Sequence, residues 1–337
     1  MPVSEIVPSS EMGKIKVMHL KRYWSKALLK RNGKLKQDAL QEEWNLDTIL
    51  LHTLGLGLEQ TSKYVYQEVP DFEKFEDWIL EVTGGPDDEK TRQFNTLFLE
   101  TTTRGERKIE EVLTRDDLDF WNENGYLIVR NAVSKEDCDA VIAALCDYIG
   151  IDRNDPTTWY NHHPAQQGIM IQLFQHPALE KNRQSAKIRT VCEQLWQRTD
   201  IWPTTDRVSF NPPETQAYPF QGPRLHWDVS IDLPIPFGLQ GLLYLADTAE
   251  NQGAFTLIPG FQHKIADWVN SLPPDVNPRF QDLYALGPKP IAANAGDFIV
   301  WLQALPHGSS PNTSKLPRFV QYITYKPVDE GLSKVWK

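Results

Sequence analysis

Two places in the chain carry residues that could hold a metal together. In "PRLHWDVSIDLPIP", residues 223–236, His226 and Asp228 flank Trp227. On a β-strand, positions i and i+2 share a face, so the imidazole and the carboxylate would project side by side with the indole turned away. That is two-thirds of a facial 2-His-1-carboxylate site, the ligand set of non-haem iron(II). An H-x-D alone is a weak signal, since a strand-end histidine bonded to a nearby aspartate gives the same pattern.

The pattern gains weight from "AGDFIVWLQALPHGSSPNTSKLPRFVQYITY", residues 295–325. An apolar strand over Ile299–Leu302 ends a few residues before His307, and a second strand opens at Arg318, 11 residues further on. If the segment carrying His226 and Asp228 lies beside the one leading to His307, three side chains share one face of a metal and three positions stay open. Open positions suit oxygen chemistry at iron(II), whereas zinc more often takes a closed site or three ligands plus water. Arg318 offers a planar, permanently charged fork for gripping a carboxylate.

Other polar residues compete for roles. His263 in "PGFQHK" follows a Pro-Gly turn and reads as a turn or capping histidine. His162 and His163, in a loop before a proline, read as structural. Ser309 and Ser310 fall between His307 and Arg318, and Ser309 is the candidate for bonding a cosubstrate carboxylate. Gln240, with Gln172 and Tyr244, lies on or near expected strands and is a candidate for the pocket wall and, for Gln240, for binding the cosubstrate, although polar strand residues also face solvent. Trp227 and Trp301 are expected as packing.

The elements that must position these residues change character along the chain. In the first hundred residues the apolar spacing is helical. Leu46, Ile49, Leu50, Leu54 and Leu58 form one stripe, Phe72, Phe75, Trp78 and Ile79 another before Gly84-Gly85-Pro86, and "DDEKTRQFNTLFLE" a third helix. The polar stretch of residues 101–117 holds the expected boundary, giving a helical domain over 1–105 and a second domain over 106–337. There, Ser134 and Asp137 resemble a capping box ahead of a helix. Beyond Pro203, short apolar runs alternate with Gly, Pro and Asn turns, as in a sandwich or barrel of the jelly-roll and cupin set.

Bulk composition sets limits. With 40% hydrophobic and 24% charged residues the 337-residue chain reads as a soluble globular protein. A net charge of −10 argues against nucleic acid as a partner. Cys138, Cys146 and Cys192 lack metal-ligand spacing and suit a reducing compartment. No apolar run is long enough to span a bilayer and the start lacks a signal-peptide core, so a cytoplasmic protein is expected. Against the overall charge, Lys14–Lys36 carries nine basic residues and no acidic one, with Val17, Leu20, Trp24 and Leu28 on one helical face. Such a helix binds a membrane or an acidic partner, or docks on its own acidic body with its lysines in water.

H-x-D, then "LLYLADTAENQGAFTLIPGFQHK", then "LPHGSSPNTSKLPR" together resemble the phytanoyl-CoA dioxygenase family of Fe(II)/2-oxoglutarate-dependent oxygenases. "GYLIVRNAVSKEDCDAVIAAL" resembles the entry to that domain, and the likeness runs over roughly residues 110–327. The resemblance implies a double-stranded β-helix core with helices packed outside, His226, Asp228 and His307 as Fe(II) ligands, and Arg318 on 2-oxoglutarate. Family members often carry a lysine just before the Pro-Pro that precedes H-x-D, where this chain has Asn211.

The implied activity is hydroxylation of a C–H bond in a small organic molecule, free or carrier-tethered, with O2 consumed and succinate and CO2 released. Related halogenases give the carboxylate's position to a halide, so Asp228 points away from chlorination. Desaturation and ring closure by the same oxidant stay open. So do two other readings: a zinc hydrolase or isomerase, in which Arg318 has no task, and a non-catalytic metal-binding scaffold recruiting an acidic partner through its basic helix.

Overall fold

The computed structural model describes residues 5–99 and 108–331, and the boundary expected at residue 105 lies outside them. The chain divides into two compact units. One comprises Met1–Arg107, Trp202–Asp206 and Pro327–Asp329, and the other Lys108–Ile201, Arg207–Lys326 and Glu330–Lys337.

The first unit is helical, with α1 (Leu20–Arg31), α2 (Trp44–Thr53), α3 (Leu58–Glu68), α4 (Phe72–Thr83) and α5 (Asp88–Asn95). The stripe running from Leu46 to Leu58 spans two helices rather than one. Gly55 sits at φ +73°, in the left-handed region where glycine carries no Cβ penalty, and α3 restarts after it. Asp71 caps α4 by accepting the Lys74 amide, and Gly84 ends it at φ 73°. Ile49, Leu50, Leu54, Phe75, Ile79 and Phe94 are fully buried in one cluster.

The basic segment is part of that cluster. Val17, Leu20, Trp24 and Leu28 are all buried, and the Trp24 indole donates to the Pro70 carbonyl at 2.9 Å. The apolar face that a membrane or partner would need is therefore covered by the unit's own core. The lysines are not all in water: Lys26 is 4% exposed and meets Glu43 at 2.8 Å and Asp47 at 2.5 Å. His19, Glu43 and Asp47 converge closely enough to suggest a metal site, but the Lys26 ammonium already occupies the cation's place between the two carboxylates.

The second unit opens with α6 (Arg115–Asn124), β1 (Tyr126–Val129) and α7 (Lys135–Ile149). Ser134 caps α7 by accepting the Asp137 amide. Next in chain order come β2 (Gln166–Gln167), β3 (Met170–Ile171), α8 (Pro177–Arg183), α9 (Ala186–Trp196), β4 (Ile201–Pro203), of which Trp202 and Pro203 fall in the first unit, and β5 (Val208–Asn211). The chain continues through β6 (Leu239–Tyr244), β7 (Phe255–Leu257), α10 (Ile265–Ser271), β8 (Lys289–Pro290), β9 (Phe298–Leu302), β10 (His307–Ser309), β11 (Arg318–Tyr322) and β12 (Tyr325–Pro327). An antiparallel seven-stranded sheet runs β1-β9-β6-β11-β5-β3-β2, and a three-stranded sheet runs β10-β7-β8.

Strand alternation decides what faces the site. On one side of the large sheet, Phe210, Leu243, Phe298, Val300 and Phe319 join a cluster with Val141, Ile142 and Leu145 of α7 and Ile188 of α9. On the other side, Leu242, Tyr244, Ile299, Trp301 and Val320 meet Phe255 and Leu257 of the small sheet. The same alternation turns Ser209, Gln240 and Arg318 toward this second cluster. Buried polar groups on a core face are costly without partners, and that face is where the sequence placed its chemistry.

No helix among the described residues is long and apolar enough to cross a membrane. The three cysteines are buried and unpaired, and burial pushes the Cys146 and Cys138 thiols up to about 11 and about 12.

Candidate metal centre

The His226 segment is less regular than the strand expected for residues 223–236. Only His226 pairs, through an isolated antiparallel bridge to His307. The bridge is complete, with each backbone amide donating to the other residue's carbonyl at 2.9 Å. Gly308 permits the close approach, because a Cβ there would lie 2.7 Å from the Arg224 carbonyl oxygen. Trp227 turns to the opposite side, as alternation requires, and its indole donates to the Ala304 carbonyl at 2.9 Å.

Three acceptors then converge. His226 Nε2 lies 3.1 Å from Asp228 Oδ1, and His307 Nε2 lies 3.2 Å from Asp228 Oδ2. Each imidazole is also fixed from behind. His226 Nδ1 is 2.7 Å from the Arg224 carbonyl, and His307 Nδ1 is 3.1 Å from the Leu305 carbonyl. A carbonyl accepts only, so both Nδ1 atoms carry the proton and the neutral rings present Nε2 lone pairs to a carboxylate. Lone pairs facing lone pairs need a cation between them, a proton or a metal ion. One ligand atom from each of the three residues lies within 4.8 Å of the others, close enough for a single ion to be shared. The donor set, two imidazoles and one carboxylate, fits iron(II).

Exposure is graded across the three. The His307 side chain is 6% exposed, His226 36% and Asp228 51%, so the site is walled at His307 and open at Asp228. Burial works to lower the His226 imidazole, but the Asp228 hydrogen bond and charge outweigh it and hold the group above its ordinary value. Desolvation likewise works to raise the Asp228 carboxyl, and the hydrogen bonds and charges of both histidines hold it far below the ordinary carboxylate range.

Arg318 is fully buried on the same face. Its Nη1 donates to Ser309 Oγ at 3.1 Å and its Nη2 to Ser209 Oγ at 3.0 Å, while its Nε has no partner. Among the described residues no carboxylate pairs with it. A buried guanidinium served by two hydroxyls and no acid is an incomplete arrangement, and a bidentate carboxylate would complete it.

The remaining candidates take different places. Gln240 reaches the site through Asp228. Its amide nitrogen donates to Asp228 Oδ2 at 2.7 Å while its oxygen accepts the Trp301 indole at 3.1 Å. Ser309 stands against Arg318. Tyr244 is tied up structurally, donating to the Ile291 carbonyl and accepting the Phe255 amide, with burial pushing its hydroxyl up to about 12. Asn211 sits opposite Arg318 in register, and its side chain donates to the Ser310 carbonyl. The carbonyl of Gln172 accepts from Tyr148. His263 lies against the Asn122 carbonyl, and His163 accepts the Ala165 amide; neither is in the metal cluster.

Sequence reasoning missed Ser209 and Arg279. Ser209 was signalled only by a polar residue at an inward position of an otherwise apolar strand. Arg279 had no local signal. It reaches the site from a 3-10 turn, Pro278–Phe280, and donates to the Trp227 carbonyl at 2.7 Å and to the Val229 carbonyl.

Residues 121–320 match the family model described as phytanoyl-CoA dioxygenase (PhyH). A Dictyostelium discoideum protein provisionally named a phytanoyl-CoA dioxygenase is 25% identical over 260 residues, which cover 62% of this chain and 74% of the relative. The ectoine dioxygenase of Bordetella bronchiseptica is 20% identical over 255 residues, covering 68% of this chain and 80% of that protein. Among solved structures, EctD from S. alaskensis with bound Fe aligns at a TM-score of 0.49 and 16% identity, over 70% of this chain and 84% of that one.

Proposed function

The chain belongs to the phytanoyl-CoA dioxygenase family, whose members use Fe(II), 2-oxoglutarate and O2, and on that premise we propose that it hydroxylates a C–H bond of a small organic molecule. His226, Asp228 and His307 hold Fe(II), and Arg318 with Ser309 holds the distal carboxylate of 2-oxoglutarate. Bound iron supplies the activation of dioxygen. Overall, substrate, 2-oxoglutarate and O2 become hydroxylated product, succinate and CO2.

The chain's own residues arrange the reactants. Backbone carbonyls at Arg224 and Leu305 keep both histidines in the ligating tautomer. Gln240 donates to Asp228 Oδ2 and so restrains the carboxylate beside the two histidines. Asp228 fills the position that a halide would need, which favours hydroxylation over halogenation. The observation that carries the proposal is the buried Arg318, acid-free and on the same face as three converging acceptors.

Strand order supports a double-stranded β-helix. Along the chain, β5, β6, β9 and β11 enter the large sheet in the order β5-β11-β6-β9, while the His226 bridge, β10, β7 and β8 form the small one. That interleaving is the pattern of a jelly roll. We assign residues 106–337 to this oxygenase domain and 1–105 to a helical domain with no assigned role. Three unpaired thiols suit a cytoplasmic setting.

The test needs no substrate. Fe(II) and then 2-oxoglutarate are added anaerobically to metal-free wild type and His307→Ala. A weak visible charge-transfer band in wild type alone is the expected result. Iron binding without a band would remove the cosubstrate role of Arg318, and no iron binding would remove the enzyme reading.

A further inference from the structure

The carboxylate at position 228 stands on backbone that no sheet supports. After the single His226 bridge, Trp227 is irregular and residues 228 and 229 are bends rather than strand, and the Asp228 side chain is 51% exposed. A ligand on unpaired, half-open backbone would wander by more than a metal site tolerates, since productive geometry is needed to within about 0.5 Å. Something else must hold it.

Arg279 meets that need from a remote turn. Its Nη1 and Nη2 donate to the Trp227 and Val229 carbonyls, the residues on either side of Asp228. The chain bends at Asp228 and Val229, and one guanidinium holds a carbonyl on each side of the carboxylate-bearing residue. The fork therefore ties down the backbone from which the Asp228 carboxylate is aimed. Gln240 restrains the side chain, while Arg279 restrains the backbone beneath it.

We propose that Arg279 is a positioning residue that keeps Asp228 in its metal-binding place; this rests on the iron reading above. A lysine cannot replace it, because an ammonium is a compact point donor without the planar fork.

The test is metal affinity of the full-length, metal-free protein, measured calorimetrically with Co(II) and, anaerobically, with Fe(II). Wild type, Arg279→Lys and Arg279→Gln are compared, each also in an Asp228→Ala background, with thermal melts as the fold control. Both single variants are expected to melt cooperatively and to bind metal about 10–100-fold more weakly, the usual cost of losing a group that orients a ligand. In the Asp228→Ala background the same changes are expected to have no further effect. Full affinity in Arg279→Lys or Arg279→Gln, with wild type binding tightly, would overturn the inference and leave the iron reading standing. An equal loss in the Asp228→Ala background, or loss of the cooperative melt in both variants, would assign Arg279 to general stability and overturn it as well. If wild type itself binds neither metal, the iron reading fails first.

Discussion

His226 and His307 exchange both backbone hydrogen bonds across one antiparallel bridge, at 2.9 Å each, which sets their rings 4.9 Å apart. In an antiparallel pair, directly opposed side chains leave the same face. The two imidazoles are thus delivered by main-chain pairing, and only the carboxylate depends on side-chain support. Several consequences can be measured.

Arg318→Met should leave Fe(II) binding intact and weaken 2-oxoglutarate on the order of 10²-fold, the loss expected when a bidentate charged pair is removed. In wild type, 2-oxoglutarate should raise the melting temperature of the iron-loaded, anaerobic protein, since a ligand that binds only the folded state stabilises it. The variant should show no such rise. Its melting temperature without cosubstrate should equal or exceed that of wild type, because an apolar side chain replaces a buried charge that lacks an acid.

Gln240→Leu removes the bonds to Asp228 Oδ2 and to the Trp301 indole together. Metal affinity should fall about 10–100-fold, with 2-oxoglutarate affinity of the metal-saturated protein little changed. A titration showing the reverse pattern would place Gln240 on the cosubstrate instead.

The pH dependence follows from His226 and Asp228. His226 is held above its ordinary value in the folded protein, so its charged pair stabilises the metal-free fold fully below the unfolded value of about 6.5 and progressively less as pH rises through the folded value. Asp228 is depressed and keeps its charge throughout that range. Proposed as a ligand, the His226 nitrogen must be free to bind metal, so the metal-induced rise in melting temperature should grow as pH rises above about 6.5 while the metal-free melting temperature falls. A metal increment independent of pH would show that His226 is not a ligand.

Lys26→Met should cost the helical unit about 3–5 kcal/mol, as expected when one partner of a buried ion cluster is removed. Glu43 and Asp47 would be left facing each other without the shared ammonium. Chemical denaturation read by tryptophan fluorescence checks this, Trp24 being packed in the same core.

The sequence by itself determined the chemistry available. It placed an imidazole and a carboxylate two residues apart, a second histidine after a buried strand, and an arginine at the head of the next. Residue identity and order are local properties, and a motif's order survives even where its strand is reduced to one bridge. Periodicity likewise marked the first hundred residues as helical, though it ran through the break at Gly55. Tertiary structure decided the rest. It brought His307 rather than His263 to Asp228, 79 residues away in sequence, because cross-strand register depends on pairing partners that no local pattern encodes. It buried Lys26, which composition had placed in water. It also set Ser209 against Arg318 and Arg279 against the carbonyls of Trp227 and Val229, contacts that no local pattern in the sequence announces.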